Sequence, residues 1–164
     1  MIKEINHGRG GYLALSGVEV DMDDLLTEPV QQAIQDLKDT FNSIKDKAQG
    51  LAMNQIWSDP NNPPFRVFIA LKAGQDEPEV FINPRGVGSG GHIKDWESCL
   101  SFPRAKPRKI SRFKNYTILY TNETGEVDSF KISPPWSRTL QHEMDHLEGK
   151  VIQPKSQNAR SKHR

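Results

Sequence analysis

The segment Gln141-His142-Glu143-Met144-Asp145-His146 sets two histidines four residues apart, with a glutamate directly after the first. On a helix, residues i and i+4 share a face, so His142 and His146 can aim ring nitrogens at one cation. Glu143 is turned about 100° from His142. It then stands beside such a cation rather than on it, where a general base for water belongs. Two histidines need a third protein ligand. The only cysteine is Cys99, in Glu97-Ser98-Cys99-Leu100-Ser101. A thiolate with two imidazoles leaves a tetrahedral centre one open position, as catalytic metal sites require. Taken alone, Cys99 reads better as a small buried hydrophobe, whereas the histidine pattern, whose apolar residues sit on other positions, favours a metal site over a helix that carries these residues by chance.

These residues need elements to hold them. Trp136, Leu140, Met144 and Leu147 give the histidine segment an apolar helical face, with Gly149 as its stop. A second helix follows Thr27-Glu28-Pro29, a cap, an acid and a first-turn proline. Its stripe is Val30, Ile34, Leu37, Phe41, Ile44 and Ala48, ending near Gly50. Arg66–Leu71 and Glu79–Asn83 read as strands, the second closed by Pro84. The glycines of residues 86–91 predict a flexible loop. Tyr116–Thr121 and Glu126–Ile132 flank Asn-Glu-Thr-Gly, a hairpin turn. In the first 26 residues, Tyr12, Leu13 and Leu15, then Val18 and Val20, allow one or two short strands. The predicted class is α+β, with mostly antiparallel sheets around a central metal-binding helix.

With 164 residues the chain is long enough for one domain around one core. It balances 22 bases against 21 acids, which argues against a DNA-binding protein. No apolar run reaches membrane-spanning length, and the first residues lack the apolar stretch of a secretory signal. The lone thiol suits a reducing compartment, so the expected location is cytoplasmic; the expected state is a monomer. Residues 150–164 carry five bases and no acid. They predict a basic, disordered tail over 151–164 behind a single catalytic domain over 1–150.

Three segments, in this order, resemble the signature motifs of the peptide deformylases: Gly50-Leu51-Ala52-Met53-Asn54-Gln55, Glu97-Ser98-Cys99-Leu100-Ser101 and His142-Glu143-Met144-Asp145-His146. Phe81-Ile82-Asn83-Pro84 and the hairpin over 116–132 extend the resemblance to about residues 27–150. It implies a metal-dependent hydrolase that takes the formyl group from N-terminal formyl-methionine of nascent chains, releasing formate. By resemblance, Cys99, His142 and His146 hold the metal, and Glu143 is the acid–base group. The Gln55 amide and the Leu100 backbone N–H face the formyl oxygen. Gly50 and Leu51 pair with the peptide backbone. Arg138 and Thr139 line the methionine pocket, Arg138 through its aliphatic stem, although a structural role suits Arg138 equally. Glu97 and Arg112 brace the cysteine segment. The implied metal is Fe2+, with Zn2+, Ni2+ or Co2+ as substitutes, and the implied partner is an N-formylmethionyl peptide.

The chain departs from the family pattern at Ala48-Gln49-Gly50, at Met53 and at Ser98, which stands where the family usually has glycine. Its short tail resembles the deformylases that lack a C-terminal helix. Two further readings are an H-E-x-x-H metallopeptidase and a non-catalytic module stapled by metal. The basic stretch from Arg104 to Lys114, with the tail, suits contacts to ribosomal RNA, or simply a solvated surface.

Overall fold

One antiparallel sheet is covered on both faces at the end that carries Val67–Leu71 and the start of the strand after it, and this decides how those strands read. The computed structural model describes residues 1–8, 11–72 and 74–152. Five strands lie in sequence order across the sheet: β1 (Gly50–Ala52), β2 (Val67–Leu71), β3 (Pro78–Glu97), β4 (Arg108–Thr121) and β5 (Val127–Ile132). Helix α1 (Glu28–Ile44) packs on one face and helix α2 (Trp136–Leu147) on the other. Successive strand residues point to opposite faces. Val67 and Ile69 of β2, with Val80 and Ile82 of β3, therefore meet the α1 stripe. Phe68, Ala70 and Phe81 meet Leu140, Met144 and Leu147 of α2. The unbroken run Val67–Leu71 is the mark of a strand covered twice. Phe81 bridges Phe68 and Tyr120, with ring centroids 4.6 and 4.5 Å apart.

Helix α1 starts as its residues predict, with Thr27 in extended conformation and Pro29 in the first turn. The Thr27 hydroxyl, however, donates to the Asp24 carbonyl rather than capping the helix. The helix ends at Ile44, earlier than its apolar stripe suggests. Ala48 packs on the same core from the turn that follows, and Gly50 opens β1 instead of closing the helix. The turn reverses the chain in time to lay β1 along β2, where Gly50 pairs with Ala70.

Two expectations fail on β3. It does not end at Pro84, and residues 86–91 are not a free loop. The strand runs on to Glu97 against β4, absorbing Pro84 and the Gly90-Gly91 pair in two register shifts. Proline lacks an N–H and is tolerated at such irregularities. The glycines make room for aromatics crossing from β4: a Cβ on Gly86 would fall 2.1 Å from the Tyr116 hydroxyl, and one on Gly88 would fall 2.0 Å from the Phe113 ring. Glycine density here is a packing requirement, not a sign of mobility.

The first 26 residues form no ladder either. Gly11–Ala14 and Met22–Asp24 are single 3-10 turns, and among the described residues isolated bridges, Ser16 to Glu148 and Val18 to Phe65, and hydrogen bonds such as Asn6 N to Gln55 O at 2.6 Å tie this segment to the fold. The Asn83 side chain holds it, accepting from Val20 N and donating to Val20 O, both at 2.8 Å. At the other end Gly149, at φ 68°, closes α2. The tail expected over 151–164 lies, from residue 153 onward, outside the described residues. No helix among the described residues is long and apolar enough to cross a membrane.

Candidate metal centre

Helix α2 delivers His142, Glu143 and His146, and the turn after β3 delivers Cys99. The ligating atoms of Cys99, His142 and His146 all lie within 4.8 Å of one another. Cys99 Sγ is 3.3 Å from His146 Nε2, and the two imidazoles stand edge to face with centroids 4.9 Å apart. One soft thiolate and two imidazoles form a donor set that suits a transition metal. Two residues 43 or more positions from Cys99 in sequence thus converge with it on one point; the i, i+4 spacing accounts for the two histidines sharing a face, but not for Cys99.

Glu97, the last residue of β3, organises this centre from behind. Its carboxylate accepts from Arg112 Nε at 2.9 Å and Nη2 at 3.0 Å. It also accepts from Arg138 Nη1 at 2.5 Å and meets His142 Nδ1 at 3.2 Å. With Nδ1–H directed at Glu97, His142 turns Nε2 toward the ligand cluster, the arrangement that fixes the tautomer of metal-binding histidines. Burial by itself would raise the Glu97 carboxyl, but hydrogen bonds from His142 and Arg112 and their charges hold it at about 2. Arg112 continues to Asp145 Oδ2 at 2.5 Å, tying β4 to the helix.

Three titratable groups of α2, Glu143, His142 and His146, differ sharply. Burial pushes the Glu143 carboxyl up to about 7, against the pull of His142 and Arg112. Its Oε2 is buried without a partner. Burial opposes the charge on His142, yet hydrogen bonds to Cys99 and Glu97 and the Glu143 charge raise it to about 10. Burial, with the charges of His142 and Arg112, lowers His146 well below 6.5. A cation needs both imidazoles free at the ligating nitrogen, so its binding displaces a proton from His142 and weakens in acid.

Gln55 sits in the 3-10 turn after β1 with its amide locked. Oε1 accepts from Ala52 N at 2.9 Å, while Nε2 donates to Ser101 Oγ at 3.2 Å and lies 3.9 Å from Cys99 Sγ. The NH2 edge is thereby turned to the cluster. The Leu100 N–H donates to no protein acceptor among the described residues and stands beside Cys99 at the wall of a cleft of about 580 Å3. Gly50, Gln55, Glu97, Cys99, Leu100, Arg138, Thr139, His142 and Glu143 all border this cleft.

Three predicted site residues, His146, Leu51 and Arg112, do not border it. The Leu51 side chain is fully buried in the α1-side core, which leaves its backbone on the free edge of β1. Arg112 is behind the wall, as a brace should be. Arg138 lines the cleft, and its guanidinium is engaged by Glu97, Ile110 O at 3.0 Å and Ile93 O at 2.7 Å. Thr139 donates to Gln49 Oε1 at 3.0 Å. Gly50 has a reason the sequence hid: a Cβ there would lie 2.8 Å from both Cγ and Oε1 of Glu143. The close approach it permits is first of all that of the helix glutamate. Sequence reasoning also missed the lock that Ser101 places on Gln55. The serine was visible beside Cys99, but nothing in its spacing links it to residue 55.

Residues 12–162 match the family described as polypeptide deformylase. The chain is 32% identical over 125 residues to peptide deformylase 3 of Shewanella oneidensis, covering 76% of this chain and 73% of that protein. It is 33% identical to the peptide deformylase of Aquifex aeolicus over 129 residues, 77% and 72% of the two chains. Among solved structures it superposes on a peptide deformylase from Legionella pneumophila with a TM-score of 0.77 at 27% identity, over 92% of this chain and 83% of that one.

Proposed function

The chain belongs to the polypeptide deformylase family and hydrolyses the formyl amide of N-formyl-methionyl peptides, and from that premise we propose which of its residues do so. Cys99, His142 and His146 hold the metal, and Fe2+ is the ion we assign, with Zn2+, Ni2+ or Co2+ able to replace it. When bound, the metal supplies Lewis-acid polarisation to the reacting groups.

The peptide lies along the free edge of β1, its backbone addressed by Gly50 and Leu51 as an added strand. The methionine side chain rests against the Arg138 stem and Thr139. Gln55 Nε2 and the Leu100 N–H donate to the formyl oxygen, where negative charge builds as water attacks the carbon. Such donors are typically worth about 100- to 1000-fold in rate. Glu143 accepts the attacking water's proton and returns one to the departing amine. A carboxyl poised near 7 is suited to both halves of that exchange. Glu97 and Arg112 hold His142 and the cysteine turn in register.

The convergence of one thiol and two imidazoles beside a buried, unpartnered Glu143 oxygen carries this assignment. A metal staple has no use for that glutamate or for a locked Gln55. We further propose that the protein acts as a cytoplasmic monomer on nascent chains. Its exposed bases on β4, Lys109 and Lys114, then meet ribosomal phosphates. Salt-sensitive co-sedimentation with ribosomes, weakened by Lys109→Glu with Lys114→Glu, tests that contact.

The catalytic assignment is tested by anaerobic loading with Fe2+, metal analysis and formate release from formyl-Met-Ala-Ser. We expect about one ion per chain and formate equal to the amine exposed. Full metal content without formate, or metal retained after Cys99→Ala with His146→Ala, defeats it.

A further inference from the structure

The cleft beside the metal centre has two rims, and each carries a base that no acid answers. On one rim, Lys47 lines the cleft just before Gln49 and Gly50. On the other, Pro103 and Ala105 line it, and Arg104 stands exposed between them. Neither Lys47 nor Arg104 makes an ion pair among the described residues. The acids that line the cleft cannot neutralise them. Glu97 is shared between Arg112 and Arg138, and Glu143 is buried at the inner end. Asp46 precedes Lys47 in sequence but is exposed and makes no ion pair with it among the described residues. Asp95 accepts from the backbone N of Trp96 and does not line it either.

Direction follows from the edge strand. Gln55 and Glu143 mark the end where the formyl group reacts, so a peptide laid on β1 leaves from Gly50 back toward Lys47. Lys47 is three residues before Gly50, in the turn that follows α1, so at most about 10 Å separates them, the span of no more than about three substrate residues. We infer that Lys47 and Arg104 select substrates with Asp or Glu at the second or third residue after the formyl-methionine. The inference rests on the peptide path proposed above.

The test compares formyl-Met-Ala-Asp-Asp-amide with the isosteric formyl-Met-Ala-Asn-Asn-amide and with formyl-Met-Ala-Lys-Lys-amide, using the metal-loaded full chain. In low salt, kcat/KM for the Asp peptide should exceed that for the Asn peptide by about 3- to 10-fold, the Lys peptide being slowest. The advantage should sit in KM, because the charges act far from the reacting atoms, and it should shrink toward unity near ~0.5 M salt. In the Lys47→Gln, Arg104→Gln double variant the Asp-to-Asn ratio should collapse toward one.

A ratio of one or less in the unaltered protein overturns the inference, as does a ratio that survives salt or the double substitution. The unaltered protein decides even if the variant folds poorly. Equal turnover of Asp and Asn peptides defeats the charge selection alone, whereas no turnover of any peptide defeats the peptide path and the selection with it.

Discussion

Helices α1 and α2 lie on opposite faces of the same sheet and bury a similar number of residues, yet they are made differently. Four of the residues that α1 buries are apolar, Val30, Ile34, Leu37 and Phe41, and its two buried polar ones are satisfied. Thr40 Oγ1 donates to Asp36 O and accepts from Lys3 N, while Asp36 accepts from Gln32. Of the seven residues that α2 buries, Ser137, Gln141, Glu143 and His146 are polar. Ser137 and Gln141 are satisfied by backbone groups of β4 and the helix itself. Glu143 Oε2 and His146 Nδ1 are not, and they supply two of the three partnerless buried side-chain atoms among the described residues. Leaving a buried polar group unpaired costs about 1–3 kcal/mol. One face of the sheet supplies stability; the other spends some of it where the chemistry is.

The contrast breaks most visibly at Glu143. In Glu143→Gln, formate release should fall by about 100- to 10,000-fold, with circular dichroism and metal content unchanged. Stability should not fall with it. The carboxyl titrates near 7 in the folded protein and near 4.5 unfolded, so the native state binds the extra proton between those values. Wild-type stability therefore declines as pH rises from 4.5 through 7. In chelator at pH 8, the glutamine variant should unfold at equal or higher urea. Marked destabilisation at that pH would mean that Glu143 is a packing residue after all.

Glu97 is the opposite case, an acid whose charge the fold wants. Removing it leaves the Arg112 and Arg138 guanidinium groups facing each other, and breaking a buried pair of this kind costs about 3–5 kcal/mol. Its folded value of about 2 lies below the ordinary 4.5. That stabilisation is complete above about pH 4.5 and is lost as pH falls toward 2. Urea unfolding of wild type and Glu97→Gln, both in chelator so that acid release of metal does not intervene, should show a gap at pH 7 that narrows below 4.5. A gap constant with pH would place the effect in packing instead of charge.

On the α1 side the expected pattern reverses. Leu37→Ala should cost about 2–5 kcal/mol by transfer and cavity terms. The folded fraction should keep its metal and its turnover, since Leu37 is fully buried on the face away from the cleft. A large loss of kcat per folded molecule would show the two faces to be coupled.

How these regions read from sequence follows the same division. Helix α1 was legible because its apolar residues keep helical period, and the metal helix because His142 and His146 keep one face. The end of α1 was not, because Ala48 belongs to the same core from a turn and so continues the stripe beyond the helix. The glycines of residues 86–91 misled for a related reason. Local composition describes backbone freedom, but Tyr116 and Phe113, which fill the space over Gly86 and Gly88, come from another strand. Arg138 was readable as a stem or as a brace because its acceptors on Ile93, Glu97 and Ile110 are more than 25 residues away.

The mildest test is at Gly50, where the two faces of the sheet come closest to competing for one position. The residue sits in β1, next to Leu51 of the α1-side core, but the atoms above it belong to Glu143 of α2. In Gly50→Ala the new methyl would lie 2.8 Å from Glu143 Cγ, too close to persist. The backbone of β1 is held by its ladder to β2, so the glutamate chain is the part that yields. Stability should change by less than about 1 kcal/mol. Turnover should drop about 10-fold, because a small displacement of an acid–base group is costly out of proportion to its size. Because the methyl also stands where substrate backbone would pass, KM and kcat should be separated. A drop confined to kcat marks displacement of Glu143, whereas a rise confined to KM marks obstruction of the peptide.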